Sequence, residues 1–165
     1  MILKRTFLSS RHYRSDDRDA VDVEIRWSRS LGGFRRDGEI RVGEKWFELR
    51  TQGTEVWLVH DEQPVGYAKG AATRWQVDVA GRSLRLTQPV PGAQVTDLTS
   101  GSQTLGQVRS ADKLIRTVLV NIVEDIAPTY QAFVAAIAIR GWRETLGGMQ
   151  PDPDDAHGDQ AIQFD

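Results

Sequence analysis

From about residue 20 to residue 123, apolar and polar side chains alternate with period two, which predicts a series of short strands with one face buried. Val21, Val23, Ile25 and Trp27 are separated by Asp22, Glu24 and Arg26. Ile40 and Val42 resume the pattern after the turn signal Asp37-Gly38, and Trp46-Phe47-Glu48-Leu49 follows Gly43. Val56, Leu58 and His60 alternate with Trp57, Val59 and Asp61, so this strand starts apolar on both sides. Trp75, Val77 and Val79, the turn Ala80-Gly81-Arg82-Ser83, and Leu84 to Leu86 predict a hairpin over 74–87. Val95 to Leu98, Leu105 to Val108 and Ile115 to Ile122 complete the set. The last run is almost continuously apolar, which predicts a strand covered on both faces. Short strands joined by Gly-containing turns at this spacing point to a sandwich or barrel rather than an open sheet.

Two stretches echo one another. Val56–Gly66 and Val95–Gly106 each read as strand, polar turn and a second strand reaching glycine, with Gly66 and Gly106 forty positions apart. An old duplication and the ordinary likeness of successive hairpins account for this equally well.

The period then changes. Pro128 suits a first helical position, with Asp125 just upstream, and the helix is predicted over about 128–145. Its middle, Ala132-Phe133-Val134-Ala135-Ala136-Ile137-Ala138-Ile139, has no polar face, so it must be enclosed on every side. At 1.5 Å per residue this run spans roughly 12 Å, too short for a bilayer core of about 30 Å, so no transmembrane segment is expected. Phe133, Val134, Ile137, Ile139 and Trp142 are the predicted core of the helix. Arg140 and Arg143 are placed near its C-terminus, where the dipole favours cations. A barrel with the helix threaded through it satisfies both patterns.

Composition sharpens the picture. The chain has 165 residues and no cysteine, so disulfides, thiolate zinc sites and cysteine nucleophiles are excluded. Residues 147–165 hold five aspartates (Asp152, Asp154, Asp155, Asp159, Asp165) and neither Lys nor Arg. The rest of the chain, with all 21 basic residues and 18 acidic ones, is mildly basic. The expected organisation is one barrel domain over 1–146 and a disordered acidic tail over 147–165. Charges in the first eight residues argue against a signal peptide, and a cytoplasmic location is expected. A formal net charge of -2 offers no nucleic-acid footprint.

The order of elements resembles the tubby C-terminal-like superfamily, which includes LURP-one-related proteins and phospholipid scramblases. The residues that carry the resemblance are Glu44-Lys45-Trp46-Phe47-Glu48-Leu49, the strand–turn–strand Val56–Tyr67 with Pro64-Val65-Gly66, Thr104-Leu105-Gly106, and the helix Ala132–Arg143 ending Arg-Gly-Trp-Arg. It covers about residues 20–145. It implies a closed antiparallel barrel of about twelve strands around a buried hydrophobic C-terminal helix, in a family of phosphoinositide-binding, membrane-associated and uncharacterised proteins. The chain departs from scramblases in lacking palmitoylation cysteines, a Pro-rich N-terminal arm and a calcium loop.

Candidate chemistry is sparse. His60-Asp61-Glu62 sets an imidazole beside carboxylates, as a general base or metal site would, but in a turn signal where solvated polar residues are expected. Asp152-Pro153-Asp154-Asp155 opens like a calcium loop, yet His157 stands at the sixth position and Gln163 at the twelfth, where Gly and Glu are required. Arg29, Arg35 and Arg36 flank Gly32-Gly33, a combination able to hold phosphate; solvation and balance by Asp16, Asp17, Asp19 and Asp37 is the plainer account. No phosphate loop, dinucleotide fingerprint, nucleophile elbow or zinc spacing occurs. The function expected is a non-enzymatic binding module with no cofactor, engaging an anionic lipid or membrane surface, through Arg29, Arg35 and Arg36, or a protein partner. A small-ligand or lipid carrier and an enzyme with an unrecognised site are the alternatives.

Overall fold

The structure is a computed structural model, and it describes residues 1–6, 12–15, 21–27, 37–123 and 126–147. Asp125, Arg29, Arg35, Arg36 and the acidic tail beyond Gly147 lie outside the described residues.

Twelve antiparallel strands close into a barrel: β1 (Ile2–Arg5), β2 (His12–Ser15), β3 (Val23–Trp27), β4 (Gly38–Val42), β5 (Lys45–Gln52), β6 (Glu55–His60), β7 (Gln63–Ala71), β8 (Arg74–Val79), β9 (Arg82–Thr87), β10 (Val95–Ser100), β11 (Gln103–Ser110) and β12 (Thr117–Ile122). Each strand pairs with its neighbours in sequence, and β1 closes the ring by lying between β2 and β12. The ring closes because one face of every strand is apolar and has something to wrap. Ile25, Ile40, Phe47, Leu49, Val56, Leu58, Val77, Leu84, Leu98, Val108 and Val118 point inward and are buried. Their sequence neighbours form the outer wall.

The turns at one end of the barrel are tight. Asp61-Glu62 (φ 48° and 63°) and Ala80-Gly81 (φ 50° and 73°) are two-residue connections with both centres left-handed, the geometry that matches the twist of the paired strands. The two echoing hairpins are built alike. Leu58 pairs with Gly66 and Leu98 with Gly106, and in both the register shifts at the next residue, Val59 or Thr99.

What the barrel wraps is α1 (Pro128–Gly147). Residues 132–142 are buried without interruption, and the helix touches β3, β4, β7, β8, β11 and β12, strands on all sides of the ring. Phe133, Val134, Ile137 and Ile139 are completely enclosed, as is the Trp142 ring. Small residues make this possible. A Cβ on Gly141 would stand 2.4 Å from the Ala72 carbonyl oxygen, and one on Gly66 would stand 3.3 Å from the Phe133 ring. No helix among the described residues is long and apolar enough to cross a membrane.

Three sequence expectations need correction. The wall begins before residue 20, because Leu3 and Tyr13 are inward, fully buried members of β1 and β2. Ile115 is not in the last strand: it sits in the β11–β12 loop with φ 52°, and the strand starts at Thr117. The helix runs past Arg140 and Arg143 to Gly147 and carries no basic residue in its last turn. Arg140 instead lies inside the barrel mouth, only 8% exposed. Its guanidinium donates to Glu144 Oε1 (2.7 Å), Thr51 Oγ1 (3.3 Å) and the Gly53 carbonyl (3.0 Å), and lies 5.3 Å over the Trp75 ring. Glu144 Oε2 accepts from the Ala72 N–H (2.9 Å), and Trp142 Nε1 donates to Thr96 Oγ1 (2.9 Å). The helix is thus tied to the β5–β6 turn, the β7–β8 turn and β10.

Candidate functional site

Antiparallel order puts the β1–β2, β3–β4, β5–β6, β7–β8, β9–β10 and β11–β12 connections at the end of the barrel from which the helix emerges. The β11–β12 loop at this end is unusually determined. Asp112 accepts hydrogen bonds from the backbone N–H groups of Leu114 (2.9 Å), Arg116 (3.1 Å) and Thr117 (2.9 Å). Ser110 Oγ donates to the Asp112 carbonyl (2.6 Å), and the buried Tyr13 hydroxyl donates to the Ile115 carbonyl (2.7 Å). Ile115 is held at φ 52° with its side chain 5% exposed. A β-branched residue in the left-handed region costs on the order of 1–3 kcal/mol, so the conformation persists because this bond set imposes it.

Two titrations follow from that environment. Burial resists ionisation of Asp112, but the N–H groups of Arg116, Leu114 and Thr117 overcome it and hold the carboxyl below its ordinary value. Burial pushes the Tyr13 phenol up, against the opposing charges of Arg143 and Arg5.

The locked loop presents Lys113 and Leu114 at its tip, and Leu114 is 60% exposed. Gln94 Nε2 donates to the Lys113 carbonyl (2.8 Å), which joins this loop to the β9–β10 loop, where Val90 is 61% exposed. Basic side chains surround them. Arg5 Nη1 reaches the Leu114 carbonyl (3.5 Å), Arg116 is exposed, Arg109 faces outward beside Val95, and Arg143 reaches the Tyr13 hydroxyl (3.4 Å). Among the described residues Asp112 is the carboxylate within this group; it accepts from the loop backbone and pairs with Arg116 (3.7 Å), while Glu144, deeper in the mouth, is paired with Arg140. Among the described residues the rim therefore combines two protruding aliphatic side chains with more basic than acidic groups.

A cavity of about 920 Å³ is an open groove on the outer wall of β3–β7. Arg26 and Arg50 line it together with Asp37, Glu39, Glu48 and Glu62, and both arginines already pair with carboxylates, Glu24 and Glu48. That balance suits no anionic headgroup. Beside it, Glu24 is buried on the outer wall and bonded by His12, Arg26 and Arg41. Burial resists its ionisation, yet the bonds from Arg26 and His12 hold its carboxyl below the usual range.

The sequence-predicted candidates divide. Arg29, Arg35 and Arg36 are outside the described residues. His60 stacks on Phe47 (centroids 4.6 Å apart), its Nδ1 lies 2.8 Å from the Trp46 carbonyl, and its nearest carboxylate, Asp61, is 90% exposed at 3.5 Å. This is a turn anchored to its own wall. Among the described residues no group of three or more His, Cys, Asp or Glu could hold a metal ion. Sequence reasoning missed the rim because Arg5, Val90, Arg109, Lys113, Leu114, Arg116 and Arg143 come from five separate stretches of chain. The one linear signal was Lys113-Leu114-Ile115-Arg116, an apolar pair between basic residues, which also fits the start of a strand.

No family model, no curated protein and no solved structure matches the chain.

Proposed function

We propose that this barrel is a non-enzymatic, peripheral binder of anionic membrane surfaces that docks through the rim where the helix emerges. The observation that carries the proposal is the β11–β12 loop: a rigid, strained loop that holds Leu114 out in solvent, flanked by Lys113 and Arg116. An aliphatic tip inserts at the acyl boundary while the basic ring faces anionic headgroups, and each Lys or Arg near such a surface contributes about 1 kcal/mol. Four basic residues with partial burial of Leu114 and Val90 supply about 7 kcal/mol, which sets Kd no tighter than roughly 10 µM. Affinity of that kind depends on salt. The location that goes with it is cytoplasmic, at the membrane face. Kinship with the tubby C-terminal-like superfamily belongs to the same proposal, supported by a twelve-strand ring closed around a C-terminal helix. The carrier alternative is disfavoured because side chains of the helix fill the lumen.

Sedimentation with vesicles of phosphatidylcholine containing about 30% phosphatidylserine tests it at low and physiological salt. The wild-type chain is expected to sediment at low salt, and Lys113→Glu with Arg116→Glu to abolish this. Leu114→Asp with Val90→Asp is expected to weaken binding by at least about tenfold. Arg35→Glu with Arg36→Glu, measured alongside, reports whether the β3–β4 connection shares the surface. A wild-type protein that stays in the supernatant at low salt removes the membrane reading and leaves a protein partner as the occupant of the rim.

A further inference from the structure

The groove on the outer wall of β3–β7 has two unlike sides, and strand register sets them face to face. Trp57 and Val59, two positions apart on β6, line it together with Pro64 of β7, the cross-strand partner of Val59. On β5, Arg50 is the partner of Trp57 and Glu48 the partner of Val59, and Glu39 of β4 stands opposite Glu48. Directly opposed residues on neighbouring strands lie about 5 Å apart, so an apolar strip runs beside a polar one.

The polar strip is ordered by its own bonds. Glu48 Oε2 accepts from Arg50 Nε (2.8 Å) and pairs with Nη2 (2.7 Å), which holds a donor plane and an acceptor plane side by side. Glu39, Gln52 and Glu62 are exposed and have no bonded partner among the described residues. Trp27 also lines the groove, and its Nε1 is a buried donor with no acceptor among the described residues. A donor of that kind calls for an oxygen.

We infer that this groove is a carbohydrate site, which takes a neutral oligosaccharide with one sugar ring laid on Trp57 and its hydroxyls turned to Glu48, Arg50 and Glu39. A sugar ring has an apolar C–H face, a polar hydroxyl edge and no charge, which matches the two strips. Carboxylate, amide and guanidinium planes each offer two hydrogen-bonding positions to neighbouring hydroxyls. Charge selects against anions, because Arg26 is neutralised by Glu24 and Arg50 by Glu48. The volume, about 920 Å³, falls within the range of about 300–1,000 Å³ typical of small-ligand clefts. The site shares no residue with the membrane-facing rim, and neither reading depends on the other.

The test is a nuclear magnetic resonance titration of the full-length chain. Cellohexaose, maltohexaose, chitohexaose and, as the cationic comparison, hexalysine are each added to about 5 mM, above a Kd of about 1 mM. At least one neutral hexasaccharide is expected to saturate. It should move the Trp57 indole and Gln52 side-chain amide signals and leave the Lys113 and Leu114 amides in place. Trp57→Ala is expected to weaken binding at least about tenfold, and Arg50→Met about fivefold. Glu39→Gln with Glu62→Gln is expected to stay within about threefold, since an amide oxygen still accepts from a hydroxyl. Unmoved amides elsewhere in each variant's spectrum establish that the barrel is intact. If none of the three hexasaccharides moves Trp57, the inference is overturned. Hexalysine binding in their place, lost in the Glu39 and Glu62 double variant, would overturn it in favour of a cation-binding wall. Sugar binding that survives both Trp57→Ala and Arg50→Met would also overturn it, by placing the sugar elsewhere.

Discussion

Replacing Arg140 with methionine isolates how the helix is fastened in the barrel mouth. Methionine keeps most of the aliphatic stem and its packing on Trp75, and removes only the guanidinium. Three hydrogen bonds are lost, to Glu144, Thr51 and the Gly53 carbonyl. Breaking one partner out of a buried ion pair costs about 3–5 kcal/mol when the orphaned charge stays dry. Here Glu144 is 28% exposed and keeps the Ala72 N–H, so water and backbone recover part of that loss. The expected cost is therefore about 2 kcal/mol, a fall in Tm of roughly 4–8 °C for a domain of this size. Urea unfolding followed by far-ultraviolet circular dichroism measures it, with the m-value unchanged. The double variant Arg140→Met with Glu144→Gln no longer carries an orphaned charge and should be less unstable than the sum of the singles by at least about 1 kcal/mol. An Arg140→Met protein within about 0.5 kcal/mol of wild type, or strictly additive singles, would refute the account of the mouth as an interdependent polar lock.

Two other perturbations probe the same architecture. Gly141→Val forces a side chain against the Ala72 carbonyl 2.4 Å away, a backbone atom in a closed ring, and should destabilise the protein by about 3 kcal/mol or more in the same urea assay. Acid should weaken the protein in a defined window. Glu24 and Asp112 have folded pKa values below their ordinary values of 4.5 and 3.8, so the unfolded chain binds protons more readily. Their contribution is complete above those values and is lost as pH falls through them towards the depressed folded values. Tm followed by calorimetry should be flat above about pH 5 and fall below it, and the fall should be shallower in Glu24→Gln.

Much of the wall was legible because period-two patterning is a local property. The hairpin over 74–87 and the central strand near 117–122 could be read residue by residue. The enclosed helix was legible for a different reason: an apolar surface with no polar stripe has one solution in water. The strands at Ile2–Arg5 and His12–Ser15 were not legible, since four residues with a single buried side chain each make no periodicity. Ile115 looked like strand by propensity, and a constellation of Asp112, Ser110 and Tyr13 overrode that preference. The rim was illegible for a topological reason. Its members are gathered by loops whose proximity follows only once the ring has closed, whereas Arg29, Arg35 and Arg36 stood out by being adjacent in sequence.

The seam between β1 and β12 constrains how the molecule is made. The Met1 nitrogen donates to the Val120 carbonyl (2.9 Å), a contact between positions 119 apart in sequence, so β1 finds this partner only after the other strands have been made. Until then β1 offers an unpaired edge and the growing sheet an open trough. The helix follows β12, so a ring that sealed early would shut out its own filling. Assembly on the ribosome must therefore hold the sheet ajar until Trp142 has emerged, then fold helix entry and seam closure into one late, slow event. Copies caught before it would be prone to join edge to edge.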